Sequence, residues 1–88
     1  MFIDLGNHQI IEQDQIIAMI DVKSLHSSGV NREFLERVQE LGKLVYCTDQ
    51  AFVKSYVILE NDGEGDDHPM IYATSFTTRA ISEKRKLV

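Results

Sequence analysis

The sequence predicts a small α+β domain, rich in β-structure, of about six short strands with one central helix and a short C-terminal helix. Residues 16–22 and 53–59 are dense in the β-branched and aromatic side chains that fit a pleated surface. Between them, Asn31 to Gly42 repeats apolar residues at helical spacing, with a capping residue at one end and a glycine at the other. A chain of 88 residues makes one domain, 1–88. At that size folding hides only about 60 to 65% of the unfolded surface, so the core is thin and self-association would add stability.

Residues 2–5 have short extended character, Gly6 and Asn7 supply turn chemistry, and 9–11 resume a β pattern, which predicts an N-terminal hairpin. Ile16, Ile17, Met19, Ile20 and Val22 are too closely spaced for simple alternation, so the third strand is either buried on both faces or bent. Residues 24–29 break the pattern. Asn31 then suits the N-cap of a helix over 32–41, its side-chain oxygen able to accept an orphan backbone N–H. Phe34, Leu35, Val38 and Leu41 form one apolar stripe on that helix. Gly42 ends it, because the left-handed position after a helix suits a residue without Cβ. Gly42→Val is therefore expected to be more damaging than most surface changes.

Residues 43–48 and 53–59 are β-rich runs on either side of a short turn at Asp49 and Gln50, which predicts a second hairpin. The two glycines, the run of acids and Pro69 mark 61–69 as a flexible acidic loop. Residues 70–74 read as the last strand. Ser75 or Thr77 then caps a helix through Ile81 and Lys84, whose basic residues fall where the helix dipole favours them.

An apolar fraction of 43% and a charged fraction of 26% exclude wholesale disorder. The lone Cys47 cannot form an intramolecular disulfide, and the N-terminus lacks the basic start and apolar run of a signal peptide. No apolar stretch approaches the ~20 residues that span a bilayer. A cytoplasmic protein without membrane contact is expected.

The net charge of −5 speaks against whole-surface attraction to nucleic acid. The charge is unevenly spread, however. Residues 79–88 hold Arg79, Lys84, Arg85 and Lys86 against Glu83, a net +3 that leaves −8 for the rest of a chain at −5 overall. This basic C-terminal segment has two readings: solvated charges that complement a helix end, or cations presented together to phosphates.

No constellation for catalysis is evident, and no cofactor or metal is implied. In the acidic loop, Asp62, Glu64, Asp66, Asp67 and His68 offer hard ligands, but the glycines come too early for an EF-hand and no closing Glu follows. His8, His26 and His68 are scattered without a second His or Cys at zinc-site spacing. Cys47 lies mid-strand two positions after Val45, as a buried inert thiol would. Gly63-Glu64-Gly65 lacks the helix and Lys of a phosphate loop. Asp4, Asp14 and Asp21 sit in or beside strands, where acids more often guard edges against unwanted pairing. A non-enzymatic protein that works by binding is expected.

Several segments in order resemble the RemB and RemA type of extracellular matrix regulator. They are residues 1–7 (MFIDLGN), 16–21 (IIAMID), 31–35 (NREFL) leading to Gly42-Lys43-Leu44-Val45, 54–59 (KSYVIL), and 71–75 (IYATS) before a basic helix. The resemblance covers nearly the whole chain, and its motifs are mostly structural. It implies a small transcriptional regulator of biofilm matrix genes in Gram-positive spore formers, assembled into rings whose repeated basic surfaces engage DNA. It also implies a RemA-like protein as a candidate partner.

The RemA pattern has two adjacent arginines where this chain has Ala51 and Phe52, and a third where it has Gln15; only Lys54 keeps positive charge at a matching site. Lys54, Arg79, Lys84, Arg85 and Lys86 are therefore the candidate DNA contacts. Phe52 is a candidate protein-interface residue if exposed, since aromatic anchors are enriched at interface hot spots. A core position for Phe52 fits the pattern equally well.

Overall fold

Alternation in the first dozen residues places Ile3, Leu5 and Ile11 inward and Phe2 and Ile10 outward, the pattern of a hairpin packed on one face. The computed structural model, which describes residues 2–26, 29–60 and 69–85, has that hairpin. β1 (Phe2–Asp4) pairs antiparallel with β2 (Ile10–Glu12), Ile3 opposite Ile11. Asn7 and His8 both have positive φ, as a hairpin turn of matching twist requires, and the Gln9 N–H closes on the Gly6 carbonyl at 2.9 Å. The Asp4 carboxylate accepts the Gly6 N–H at 2.8 Å. Gly6 is needed twice over: its φ is +107°, and a Cβ would lie 2.9 Å from the Cys47 carbonyl oxygen.

The second sheet has four strands, β3 (Ile16–Asp21), β4 (Leu44–Tyr46), β5 (Ser55–Leu59) and β6 (Met70–Thr74), in the order β3-β5-β6-β4. β5 is antiparallel to both β3 and β6, while β4 lies parallel to β6. β3 and β4 thus run in the same direction at opposite edges. The expected hairpin of β4 with β5 is corrected. The hydrogen bonds of β4 go to β6, with the Ile71 N–H on the Lys43 carbonyl at 2.9 Å and the Cys47 N–H on the Ala73 carbonyl at 2.8 Å. The 3-10 turn Gln50–Phe52 then carries the chain past β6 to β5. The bend expected of β3 is present as a register shift between Ile16 and Ala18. Burial on both faces is not, because β3 is an edge strand with Ile17 62% exposed.

α1 (Val22–His26) follows β3 directly, where a strand end and a break were expected; the Asp21 carboxylate accepts the Lys23 N–H at 2.8 Å and starts the turn. α2 (Gly29–Glu40) begins earlier than expected, so Asn31 lies within the helix. Its stripe places Val38 in the core and Phe34 and Leu35 at the core margin, with Leu41 turned outward. The exit is as expected. Gly42 has φ +72°, its N–H bonds to the Gln39 carbonyl at 3.0 Å, and the Lys43 N–H reaches back to Val38 at 3.0 Å, a Schellman motif. α3 (Thr78–Arg85) is capped by Thr77, whose hydroxyl accepts the Ala80 N–H at 3.0 Å.

Two cores fill the two faces of the four-stranded sheet. On one, the hairpin residues Ile3, Leu5 and Ile11 and Ile81 of α3 pack against Cys47, Val57 and Leu59. On the other, Leu25 of α1 and Val38 of α2 pack against Tyr56, Ile71 and Ala73. β5 serves both, Tyr56 and Ile58 facing one layer and Val57 and Leu59 the other. The buried hydroxyls of Thr74 and Ser55 are satisfied at 2.6 Å by the Leu5 and Phe76 carbonyls, joining the hairpin and the approach to α3 to the sheet. Six strands and three helices among the described residues match the expected α+β class.

Candidate nucleic-acid interface

The strand registers gather several loops at one end of the four-stranded sheet. Asp21, Ser55 and Thr74 are successive neighbours across β3, β5 and β6. One residue beyond them, the Val22 N–H bonds to the Lys54 carbonyl at 3.0 Å and the Lys54 N–H to the Thr74 carbonyl at 2.8 Å. The segments around Lys23, Lys54 and the residues that lead into α3 at Arg79 therefore share this end, and all three cations are exposed. Lys23 escapes a reading by sequence, because it lies between the third strand, read through Val22, and the break over 24–29. Its placement comes from the bond between Val22 and Lys54.

The turn before Lys54 adds an aromatic ring. The Phe52 N–H bonds to the Asp49 carbonyl at 2.9 Å, closing the 3-10 turn, and the buried Val53 anchors it. Phe52 itself is 60% exposed, which decides between the two positions open to it. Two acids share the same end: Asp21, which starts α1, and Asp49, which precedes the turn, both exposed.

The remaining C-terminal cations are placed differently. Lys84 is half-buried and turned to its own chain, Nζ donating to the Asp4 carbonyl at 3.1 Å and lying 3.7 Å from the centre of the Phe76 ring. That pairing combines a hydrogen bond with a cation–π contact, and it fastens α3 to the N-terminal hairpin. Lys84 is thus on a different part of α3 from Arg79, five residues or about 7.5 Å along the helix axis. Arg85 closes α3. Lys86 and residues 61–68 of the acidic loop read over 61–69 lie outside the described residues.

A second exposed apolar surface has different surroundings. Phe2, 72% exposed, and Ile10, 62% exposed, stand on the outer face of the hairpin with Asp4 and Glu12 opposite them across the strands. This face is acidic where the Lys54 end is cationic.

Cys47 is buried, and its thiol is pushed up to about 11, chiefly by burial and then by the Asp4 carboxylate. It is the opposite of an activated nucleophile at neutral pH. Burial, and then Tyr46, likewise raise the Tyr56 hydroxyl above its ordinary value. Among the described residues no helix is long and apolar enough to cross a membrane.

The fold and this end together define a small α+β domain in which an exposed aromatic ring and exposed cations lie at one end of the sheet. The model of the RemA-like family, extracellular matrix regulatory protein A-like, matches residues 2–78. The chain belongs to this family of extracellular matrix regulatory proteins. Nearly all of α3, from Arg79 onward, falls beyond the matched residues. No curated protein matches the chain.

Proposed function

We propose that this protein controls the expression of extracellular matrix genes as a cytoplasmic, self-associated regulator that catalyses no reaction and meets DNA phosphates through Lys54 and Arg79. The observation that carries the reading is the placement of those two cations, with Lys23, at one end of the sheet in a member of a matrix-regulator family. Each subunit offers few phosphate contacts. Repetition in an assembly compensates, because linked weak contacts act at high effective concentration. The outward Phe2 and Ile10 and the edge residue Ile17 supply apolar surface for that assembly.

Two measurements test it. Fluorescence polarisation with a labelled duplex at low salt is expected to show binding that weakens as salt rises and is lost in the double variant Lys54→Glu, Arg79→Glu. Light scattering is expected to give a native mass above that of one chain, reduced by Ile10→Asp. A monomeric mass removes self-association, and a wild-type protein that leaves all labelled nucleic acid free removes the DNA contact.

The exposure of Phe52 favours a second reading, in which the same end meets a RemA-like protein and not DNA. Phe52→Asp would then abolish a pull-down of that partner while leaving the circular dichroism intact.

A further inference from the structure

Phosphate contact alone leaves the exposed aromatic ring of the Lys54 end unused. We propose that this end binds single-stranded nucleic acid, with Phe52 stacked on an unpaired base and Lys54, Arg79 and Lys23 set towards the flanking phosphates. The proposal rests on the reading above that nucleic acid is the ligand of this end, and it names which form of nucleic acid.

The ring is displayed by a fixed backbone. The turn is closed by the Phe52 N–H on the Asp49 carbonyl at 2.9 Å and the Val53 N–H on the Gln50 carbonyl at 3.4 Å. Val53 is buried, and Lys54 is tied to Thr74 at 2.8 Å. An apolar ring held in water on such a support is ready for a flat apolar partner at little cost in conformational entropy.

Charge selects among partners. Lys23, Lys54 and Arg79 are opposed at the same end by Asp21 and Asp49, three cations against two acids. A duplex presents its phosphates and keeps its base faces stacked inside, so it would meet only this small positive excess. A single strand presents phosphates and base faces together, and stacking on an aromatic side chain is a large, sequence-tolerant part of its binding. The outward Phe2 has the ring but faces Glu12 on the hairpin, and the Phe76 ring is half-buried and already taken by Lys84, so an exposed ring near exposed cations is found at the Lys54 end.

The test compares a labelled oligothymidylate of about 15 nucleotides with a duplex of the same length at low salt. The wild type is expected to bind the single strand more tightly. Phe52→Ala is expected to weaken that complex by about 5- to 150-fold and to leave duplex affinity and circular dichroism unchanged. Lys54→Ala weakens both complexes. Because the chain has no tryptophan, Phe52→Trp provides a single reporter that should retain strand binding and lose emission when an unlabelled strand stacks on it.

The proposal is overturned if the duplex binds as tightly as the strand, or if Phe52→Ala leaves strand affinity intact. A Phe52→Ala protein that loses native mass but still binds the strand assigns the ring to a protein contact and also overturns it. Binding of the duplex alone removes this inference and leaves the proposed function standing. Binding of neither ligand removes the DNA half of the proposed function as well.

Discussion

Replacing Gly6 with alanine is expected to cost several times more stability than replacing Gly42, although both glycines have positive φ and both end a regular element. At Gly42 a new Cβ meets nothing within 4 Å. The penalty there is the left-handed backbone alone, about 1 kcal/mol. At Gly6 the backbone, at φ +107°, lies outside the left-handed helical basin. Holding an L-residue there costs on the order of 1–3 kcal/mol.

The new Cβ would also stand 2.9 Å from the Cys47 carbonyl oxygen. That oxygen is a backbone atom, so it cannot move aside as the far end of a flexible side chain could, and the same residue is held to the sheet by its N–H on the Ala73 carbonyl at 2.8 Å. Relieving such a clash adds about 1–3 kcal/mol. The sum, roughly 4 kcal/mol, is a large part of the 5–15 kcal/mol that holds a domain of this kind together. Urea unfolding followed by circular dichroism is the assay, with the two variants compared at equal m-value. The midpoint should fall at least twice as far for Gly6→Ala as for Gly42→Ala, and Gly42→Asn should be milder than Gly42→Ala because asparagine tolerates this backbone. Equal shifts would refute the steric argument and leave only backbone strain.

Thr74→Val keeps the shape of the side chain but leaves the buried Leu5 carbonyl without its 2.6 Å donor, so a loss of about 1–3 kcal/mol in thermal or urea unfolding is expected. Lys84→Met removes the donor to Asp4 and the charge over Phe76. Amide exchange should accelerate in α3 and stay slow in β5, with a stability loss of about 1 kcal/mol; unchanged exchange in α3 would show that Lys84 does not hold the helix. Cys47, raised from 9.0 to about 11, stays protonated in the folded protein after the unfolded thiol has ionised. The unfolded state then binds fewer protons, so this residue's contribution to stability is intact below about pH 9 and lost as pH rises towards 11. Relative to Cys47→Ala, the wild type should lose stability across that window, and its thiol should resist iodoacetamide at neutral pH until the protein unfolds.

What the sequence discloses here depends on how local the determining forces are. The exit of α2 was legible because Gly42 acts through its own backbone, and the first hairpin because Gly6 to Gln9 form a closed turn. The misreading of β4 and β5 has the opposite origin. Two β-rich runs about a short polar turn satisfy every local rule for a hairpin, yet the partner of β4 is β6, which begins at Met70. No local rule encodes that choice, which depends on strand order. The candidate site divides in the same way. Lys54 and Arg79 could be picked out as cations but were joined only by the registers of β5 and β6, and Lys23 became visible only through the Val22 bond. Lys84 and Arg79 are alike as cations in the sequence, and only the contacts of Lys84 with Asp4 and Phe76 set them apart.

The insertion of β5 and β6 between β3 and β4 has a consequence for the order of events during synthesis. A chain emerging from the ribosome delivers both edge strands before either of the strands that separate them. β3 must wait for residues 55–59 and β4 for residues 70–74. The bond from Thr74 to Leu5 spans 69 residues, so the hairpin is fastened to the sheet only when nearly the whole domain is available. Long-range closures of this kind place a small domain towards the slow end of folding for its length. Until they form, β3, with its run of apolar residues, is an unpaired edge open to the same strand on a neighbouring nascent chain.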